Sequence, residues 1–284
     1  MNLLKPIPKD TKNAEQKLHS TYHQRSYFVA IIIASILLSP YAFAVVFVII
    51  TALAMHEFYK LTHKPGETDV NFMAGVTGGV LLFICSFLYA YNLVSFPVYP
   101  VYGLYVLLVL IAELFRKKKN PVNNWAYFLL GQVYIALPFS LLNFILFISG
   151  FQPILLMAVF ITLWVNDTGA YVTGMLFGKH KMFERISPKK TWEGFIGGAF
   201  FALLSGYVFS RFIPDISLIQ WLIFSELVVI FGTLGDLSES LIKRTEQVKD
   251  SGNVIPGHGG ILDRFDSMLM AAPVIFIYLK IIIG

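Results

Sequence analysis

The chain is short of the residues that soluble and secreted proteins use most. Charged residues make up only 14% of its 284 residues, while 56% are hydrophobic. A soluble domain of this length needs more polar surface, because much of any folded domain stays in contact with water. The single cysteine, Cys85, excludes an intrachain disulfide and a cysteine-based metal site. The first 25 residues lack the features of a signal peptide, so we expect them to be retained.

Long apolar runs are abundant, and many approach the roughly 20 residues that a helix needs to cross a bilayer. Short alternating segments of the kind that form membrane barrels do not occur. The sequence therefore predicts an all-α polytopic integral membrane protein with about nine transmembrane helices and a cytoplasmic N-terminus. We place the helices near residues 26–38, 41–58, 72–90, 98–115, 126–149, 153–177, 194–213, 216–242 and 265–283.

The distribution of positive charge gives the expected orientation. With the N-terminus in the cytoplasm, the cytoplasmic segments contain 20 of the 22 lysines and arginines, as the positive-inside rule requires. The net charge of +5 is thus explained mainly by the lysines and arginines of the cytoplasmic loops. We therefore expect no nucleic-acid partner. Anionic lipid headgroups and nucleotides are the expected ligands at that face. The cytoplasmic segments are 1–25, 59–71, 116–125, 178–193 and 243–264.

The chain divides into a basic cytoplasmic segment (1–25), N-terminal transmembrane helices (26–150) and a C-terminal region (151–284). The last region contains loops 178–193 and 243–264, and polar residues within or beside its spans make it the expected catalytic region. Asp167 lies near the middle of a span, where an unpaired carboxylate is costly, so it is a functional candidate. Helix packing, aided by nearby glycines, is the alternative. For Glu226 the choice between packing and pairing stays open.

A second candidate is the sequence SPKKTWEG, which directly precedes the span that begins near Gly194. Hydroxyls, ammonium groups and the free N–H groups of a helix start together favour an anion. A basic flank of a membrane span is the alternative explanation. The segment GMLFGKH nearby has the wrong glycine spacing for a Walker A loop. The candidate phosphate-binding residues are Ser187, Lys189, Lys190 and Thr191.

A third candidate is the polar segment 240–266, which lies between two apolar runs. Its basic side chains, suited to phosphate groups, are Lys243, Arg244, Lys249 and Arg264. Positions i, i+3, i+4 and i+7 share one helix face, and in the preceding helix they are Asp236, Glu239, Ser240 and Lys243. A solvated helix end with ion pairs explains Glu239 and Lys243, but it accounts less well for the deeper Asp236.

Asp263 and Asp266 follow the glycine-rich sequence PGHGG and share one face of the next helix. Helix capping could explain one of them. Together with Asp236 they form a plausible oxygen-ligand site for Mg²⁺, which usually takes one or two carboxylates, waters and substrate phosphates. In the loop we expect His258 to donate to a phosphate, which could also approach the backbone N–H groups of Gly257, Gly259 and Gly260.

The same segment resembles a family signature. It reads Ser240-x-Ile242-Lys243-Arg244, four residues, Lys249-Asp250-x-Gly252, then Ile255-Pro256-x-His258-Gly259-Gly260-Ile261-x-Asp263-Arg264-Phe265-Asp266. This run is similar to the signature of phosphatidate cytidylyltransferases, also called CDP-diacylglycerol synthases. The blocks NDTGAY and SPKKTWEG resemble the same family, whereas the first 150 residues agree with it only in their pattern of spans.

The resemblance implies an integral membrane enzyme that condenses CTP with phosphatidic acid, giving CDP-diacylglycerol and pyrophosphate. It also implies Mg²⁺, with a second monovalent cation such as K⁺, at Asp236, Asp263 and Asp266. The lipid phosphate would be the nucleophile and is already ionised near neutral pH, so no catalytic base is needed. Lys243 and Arg244 complete the expected catalytic group. The expected substrate-binding residues are Asp167, Ser187, Lys189, Lys190, Thr191, Ser240, Lys249, Asp250, His258, Gly259, Gly260 and Arg264.

Other functions fit the residues less well. The same chemistry on an isoprenoid ether lipid is the nearest alternative. An ion-coupled transporter would also contain intramembrane carboxylates, but we find no internal repeat. The aspartate motif of CDP-alcohol phosphotransferases is absent, and a scaffold would not require segment 240–266. We expect an enzyme of the plasma (inner) membrane with its active site at the cytoplasmic face, as either a monomer or a homodimer.

Overall fold

The computed structural model describes residues 26–96, 98–252 and 259–283, which are predominantly helical. The predictions for residues 1–25, Gly257 and His258 lie outside the described residues. A π-helical turn (Gln132–Ala136) joins the helix Pro121–Gly131 to the helix Leu137–Leu146. The helices are α1 (Ser26–Leu38), α2 (Pro40–Leu61), α3 (Phe72–Ala90), α4 (Tyr99–Phe115), α5 (Pro121–Gly131), α6 (Leu137–Leu146), α7 (Pro153–Phe177), α8 (Trp192–Phe212), α9 (Leu218–Thr245) and α10 (Leu262–Ile283).

Seven helical segments of the described chain are long and apolar enough to cross a membrane, with α5 to α6 counted as one segment of 26 residues. The predicted class, a polytopic helical membrane protein, is therefore confirmed. Helices α1 and α4 are also apolar but fall in the shorter range of 10–17 residues, so the predicted nine crossings are not established by length. The largest shift in bounds concerns the span predicted at 126–149, which begins instead at Pro121, a residue suited to a first helical turn.

Local sequence signals explain where several helices begin. The Ser39 hydroxyl accepts a hydrogen bond from the Tyr41 N–H at 3.2 Å, which marks the predicted turn between α1 and α2. At the start of α9, Ser217 and Gln220 form a reciprocal capping box. Thr191 caps α8 by accepting the Gly194 N–H at 3.2 Å. These caps satisfy N–H groups that a helix end otherwise leaves without partners.

Phenylalanine rings fill the centre of the bundle where α2, α6, α7 and α10 meet. The ring of Phe265 packs edge-on against Phe47, Phe139 and Phe160, with centroid separations of 5.3 to 6.3 Å. All four side chains are buried. Edge-to-face contacts of this kind add to the gain from apolar burial. Because Phe265 directly precedes Asp266, this packing fixes the first turns of α10, which contain the candidate carboxylates.

A two-stranded antiparallel sheet interrupts the helices between α7 and α8. It consists of β1 (Lys181–Phe183) and β2 (Ser187–Thr191), with Lys181 opposite Thr191. The prediction of an all-α fold did not include this hairpin, since its strands are short and charged. The Glu193 carboxylate holds its base by accepting the N–H groups of Lys179 and His180 at 3.1 and 3.2 Å. It also lies 2.6 Å from the His180 ring Nδ1.

Contacts between loops gather the polar segments at one end of the helix bundle. Asp69, before α3, forms an ion pair with Lys118, after α4. This hydrogen bond lowers the pKa of the Asp69 carboxyl below its ordinary value. Lys64 pairs with Glu246 beyond α9 at 2.8 Å, and Arg244 donates to a backbone carbonyl of the hairpin at 3.3 Å. One end of the bundle therefore contains described parts of the four loop segments 59–71, 116–125, 178–193 and 243–264.

Candidate active site

A cavity of about 430 Å³ lies between α7, α8 and α9 beside the hairpin. It brings Asp167 together with the hairpin residues and with Asp236, which precedes segment 240–266, although these residues are far apart along the chain. Its wall also contains three hydroxyl residues that were not predicted from the sequence, namely Tyr171, Thr233 and Ser267. The cavity has the mixture of cations, carboxylates and hydroxyls that an anionic ligand with a counter-ion requires. The predicted residues that line it are Asp167, Lys189, Lys190, Thr191 and Asp236.

The hairpin and α9 meet in an ion pair at the wall of this cavity. Lys190 Nζ lies 2.6 Å from Asp236 Oδ2, and the Ser240 hydroxyl donates to Asp236 Oδ1 at 3.3 Å. The side chains of Lys190 and Asp236 are 25% and 34% exposed, so both remain accessible from the cavity. Charge-assisted hydrogen bonds are stronger than neutral ones. The pair therefore holds the hairpin against α9 while leaving a cation available to an incoming phosphate.

Asp167 lies well inside α7, and its exposed side chain lines the cavity. The neighbouring amide of Asn166 approaches Asp167 Oδ1 at 3.4 Å. Close packing of α7 against α8 is also present, because a Cβ atom on Gly169 would lie 2.7 Å from the Phe201 ring. The two explanations offered by the sequence therefore apply to different residues. The glycine provides close helix approach, and the aspartate faces the cavity.

Lys243 connects α9 to α10. Its Nζ lies 2.6 Å from Glu239 Oε2, one turn earlier in α9, and 2.6 Å from Asp263 Oδ1 in α10. The first contact is the ion pair predicted for the helix face, but the second was not predicted. Glu239 is fully buried, and its Oε1 has no hydrogen-bond partner within the described part of the chain. A buried carboxylate needs a nearby cation, and Lys243 supplies one.

Asp263 also organises the polypeptide around it. Its Oδ2 accepts hydrogen bonds from the Ser251 N–H and hydroxyl, both at 3.0 Å, and from the Gly260 N–H at 2.8 Å. Gly259 adopts a φ of +79°, a left-handed conformation that favours glycine. In this structure the Gly260 N–H is thus directed towards a carboxylate of the protein. Contact of Gly259 and Gly260 with a phosphate stays a prediction.

Asp266 extends the group of carboxylates towards the cavity. Its Oδ1 accepts the N–H of Ser267 at 2.6 Å, and Ser267 lines the cavity. The donor set fits Mg²⁺, since that ion takes only one or two carboxylates besides water and phosphate oxygens. Among residues 26–96, 98–252 and 259–283, however, no group of three His, Cys, Asp or Glu side chains is arranged to hold a metal. Ligation by all three aspartates stays a prediction.

The remaining predicted residues lie at the surface or support the backbone. Arg244 Nε donates to the Ile186 carbonyl at 3.3 Å, so in this structure its guanidinium braces the hairpin. Ser187 lies opposite Phe183 in the sheet. Phosphate or ribose contacts by these side chains remain predictions. Three further residues are exposed, namely Lys249, Asp250 and Arg264.

Glu57 was not among the predicted site residues; it lies one turn before the end of α2 and is only 2% exposed. Its carboxylate accepts hydrogen bonds from the Ile261 and Leu262 N–H groups at 3.0 and 2.9 Å, and from the Ser251 hydroxyl at 3.2 Å. The available signal was a single carboxylate near the end of an apolar run. The region 26–150, predicted to form the N-terminal transmembrane helices, therefore contributes directly to the neighbourhood of Asp263.

Fold and site together define a polytopic membrane protein with a phosphate-compatible cavity at the polar end of its helices. Comparison with protein families then gives a specific result. The model of the cytidylyltransferase family matches residues 23–282. The chain belongs to this family, and the match extends through the N-terminal helices, where the motif resemblance was weakest.

Curated relatives agree with the family assignment. A protein of Staphylococcus haemolyticus named phosphatidate cytidylyltransferase is 51% identical over 122 residues, which cover 42% of this chain and 46% of the relative. A protein of the same name from Haemophilus influenzae is 46% identical over 124 residues, or 42% of this chain and 43% of the relative. The matched segments thus span about half the length of these relatives.

Proposed function

We propose that the protein transfers the cytidylyl group of CTP to phosphatidic acid, giving CDP-diacylglycerol and pyrophosphate. The observation that supports this most directly is the cavity at which Lys189, Lys190, Asp167 and Asp236 meet at the polar end of the helices. A lipid headgroup and a nucleotide can both reach such a site. Family membership and the names of the relatives support the same reaction.

In the proposed reaction, an ionised oxygen of the lipid phosphate attacks the α-phosphorus of CTP. One P–O bond forms to the lipid phosphate, the bond from the α-phosphorus to the bridging oxygen breaks, and pyrophosphate leaves with the electron pair. Two anions must be held in line, so neutralisation and positioning provide most of the catalysis. The hairpin residues Ser187, Lys189, Lys190 and Thr191 would hold the lipid phosphate or a CTP phosphate.

The triphosphate would contact the cations around the start of α10. Lys243, Arg244, Lys249 and Arg264 would neutralise it, and Asp250 would orient a lysine or bind the ribose. Asp236, Asp263 and Asp266 would hold Mg²⁺, with a monovalent cation such as K⁺ nearby. When bound, Mg²⁺ would neutralise charge on the phosphates and leaving group. Lys243, already paired with Asp263, is placed to stabilise the negative charge that develops on the departing pyrophosphate.

We further propose that the helices make nine crossings, with the N-terminus and the active site on the cytoplasmic side of the plasma (inner) membrane. The gathering of four polar segments at one end of the bundle supports this, because it requires α4 to run between the two ends. The excess of lysine and arginine in those segments supports the cytoplasmic side. A homodimer is compatible with the proposal but is not required by it.

The decisive test is an assay of the purified protein in detergent with CTP labelled in its cytidylyl group. We expect a labelled lipid product when phosphatidic acid and Mg²⁺ are both present, and none when chelator replaces Mg²⁺. Competition by an isoprenoid ether analogue of phosphatidate would show whether the lipid differs from the one proposed. The absence of a lipid-linked product in every condition would contradict the proposal.

A further inference from the structure

The N-terminal half of the chain reaches the candidate active site through one buried carboxylate. Glu57 belongs to α2, whereas its partners Ser251, Ile261 and Leu262 lie about 200 positions later, as the sequence separations of 194, 204 and 205 show. These donors lie at both ends of the loop that joins α9 to α10. Glu57 Oε1 binds the Ile261 N–H, and Oε2 binds the Leu262 N–H and the Ser251 hydroxyl.

Glu57 of α2 caps the start of α10 by accepting the N–H groups of Ile261 and Leu262. Leu262 begins α10, and its N–H group and that of Ile261 belong to the donors that a helix start leaves without intrahelical partners. A carboxylate at this position satisfies both donors and interacts favourably with the positive end of the helix dipole. Since Glu57 is buried, water is a poor substitute for it there.

The third contact links Glu57 to Asp263. The Ser251 hydroxyl lies 3.2 Å from Glu57 Oε2 and 3.0 Å from Asp263 Oδ2, so the two carboxylates share its single proton, and the Ser251 N–H donates to the same Asp263 oxygen. Glu57 therefore fixes Ser251, and Ser251 in turn helps to orient the Asp263 carboxylate. Asp263 also binds Lys243. The orientation of both candidate catalytic groups depends on a residue that touches neither of them.

The surrounding backbone is shaped to admit this carboxylate. A Cβ atom on Gly252 would lie 2.6 Å from Glu57 Oε1, and one on Gly260 would overlap Glu57 Oε2 and the Ser251 hydroxyl. Both glycines belong to the segment that resembles the family signature. Their lack of a side chain is thus explained by close approach to Glu57, a reason independent of phosphate binding.

We propose that Glu57 is a positioning residue, which holds the start of α10 and Ser251 so that Asp263 and Lys243 face the nucleotide. This role rests on the proposed cytidylyl transfer. The hydrogen bonds from Ile261, Leu262 and Ser251 to Glu57, which we call the anchor, do not depend on that function. The variant Glu57→Gln keeps the size of the side chain and one acceptor oxygen, but it places an amide donor opposite N–H donors. Glu113→Gln is a matched control, since Glu113 is also buried and binds Asn124 and Arg116 away from the cavity.

Two measurements on the full-length purified protein test this role. Hydrogen exchange at the Ile261 and Leu262 amides should accelerate at least tenfold in Glu57→Gln and stay unchanged in Glu113→Gln. The kcat/KM for CTP should fall at least tenfold in Glu57→Gln, and the Mg²⁺ concentration for half-maximal activity should rise. The Glu113→Gln variant should retain wild-type values for both. If Glu57→Gln does not fold, Ser251→Ala breaks only the link from Glu57 to Asp263, so it should lower kcat/KM and raise the Mg²⁺ requirement to a smaller extent while the Ile261 and Leu262 amides stay protected.

The contacts of Glu57, its positioning role and the proposed function can each be disproved separately. Unchanged exchange at the two amides would disprove the anchor, whether or not the protein has activity. Faster exchange with unchanged kcat/KM and unchanged Mg²⁺ requirement would disprove the positioning role, as would equal losses in Glu113→Gln. A wild-type protein that forms no lipid product would instead contradict the proposed function, while the exchange measurement would still report on the anchor.

Discussion

Lys190 and Lys243 each neutralise an aspartate that belongs to another element. Lys190 reaches from the hairpin to Asp236 in α9, and Lys243 reaches from α9 to Asp263 in α10. In both pairs the distance is 2.6 Å, so each lysine is held in place before a ligand arrives. Prior ordering of a flexible side chain reduces the entropy lost on binding. The two lysines are therefore well prepared to receive phosphate oxygens.

We expect Lys190→Met to lower kcat/KM by about 10- to 100-fold, because a hydrogen bond to a charged group contributes about 1.5 to 3 kcal/mol. Asp236 would also lose its nearby cation. The control is Lys181→Met, which removes a lysine from β1 of the same hairpin. The measurement is steady-state turnover of both variants with CTP and phosphatidic acid. Equal effects of the two substitutions would show that overall positive charge, and not Lys190 itself, matters.

Asp263→Asn should reduce turnover by about 100-fold or more, because loss of a metal ligand or its orienting group has large effects. The protein should still insert and fold, since asparagine retains an acceptor oxygen for Ser251 or Gly260. Asp215→Asn, an exposed aspartate between α8 and α9, is the control. Product formation would be compared at equal amounts of detergent-extracted protein. Near wild-type formation of CDP-diacylglycerol by Asp263→Asn would remove Asp263 from the proposed metal site.

At this scale, the sequence identified residue types better than their partners. Asp167, Lys190 and Asp236 were selected from intramembrane charge and motif, and they line one cavity. The link from Lys243 to Asp263 was not predicted, because it depends on how α9 packs against α10. Glu57 was missed for a similar reason. A lone carboxylate near a span end resembles an ordinary solvated residue until its partners are known.

Among the elements, the hairpin between α7 and α8 has the clearest dependence on one side chain. Glu193 stands in the first turn of α8 and binds the backbone where the chain leaves α7. It thereby closes the base of the hairpin, which presents Lys189 and Lys190 to the cavity. The hairpin was not predicted because its two strands are short and polar. Their pairing also depends on contacts between Glu193, which follows β2, and the backbone before β1, and these contacts are not visible in the sequence.

Glu193→Ala should loosen the hairpin without unfolding the helices. We expect the amides of Lys179 and His180 to exchange faster and the KM for phosphatidic acid to rise several-fold. An unpaired N–H group in contact with water exchanges readily, since local opening there has little free-energy cost. Glu184→Ala, at an exposed position of the hairpin, is the matched control. Unchanged exchange at both amides would show that Glu193 is not needed to close the hairpin.

For the whole molecule, the side of the membrane on which each loop lies can be tested with cysteine labelling. Replacement of Cys85, the single cysteine of the chain, gives a background without thiols. New cysteines would replace the exposed residues Glu67, Lys119 and Asp215. We expect positions 67 and 119 to react with an impermeant maleimide only from the cytoplasmic side, and position 215 only from outside. Opposite sides for 67 and 119 would mean that α3 and α4 do not both cross.

The helical class and most helix positions were predictable, because the length of apolar runs is a strong constraint in a membrane. The number of crossings was less so. Helix α4, at 17 residues, is close to the lower limit for a span, and α1 is also short. Hydropathy alone does not decide whether such helices cross, whereas the ion pair between Asp69 and Lys118 joins loops at one end of the bundle.

The contact between Glu57 and α10 also determines when the site can form during synthesis of the chain. Leu262 follows Glu57 by 205 residues, and at about 5 to 20 residues per second the ribosome needs about 10 to 40 s to add them. Throughout that interval the carboxylate has no amide donors to bind, so it must stay hydrated. A site one turn from the end of α2 allows this, because that end can remain at the water interface. The contact between Glu57 and α10 can therefore form only after α10 has been synthesised, long after α2.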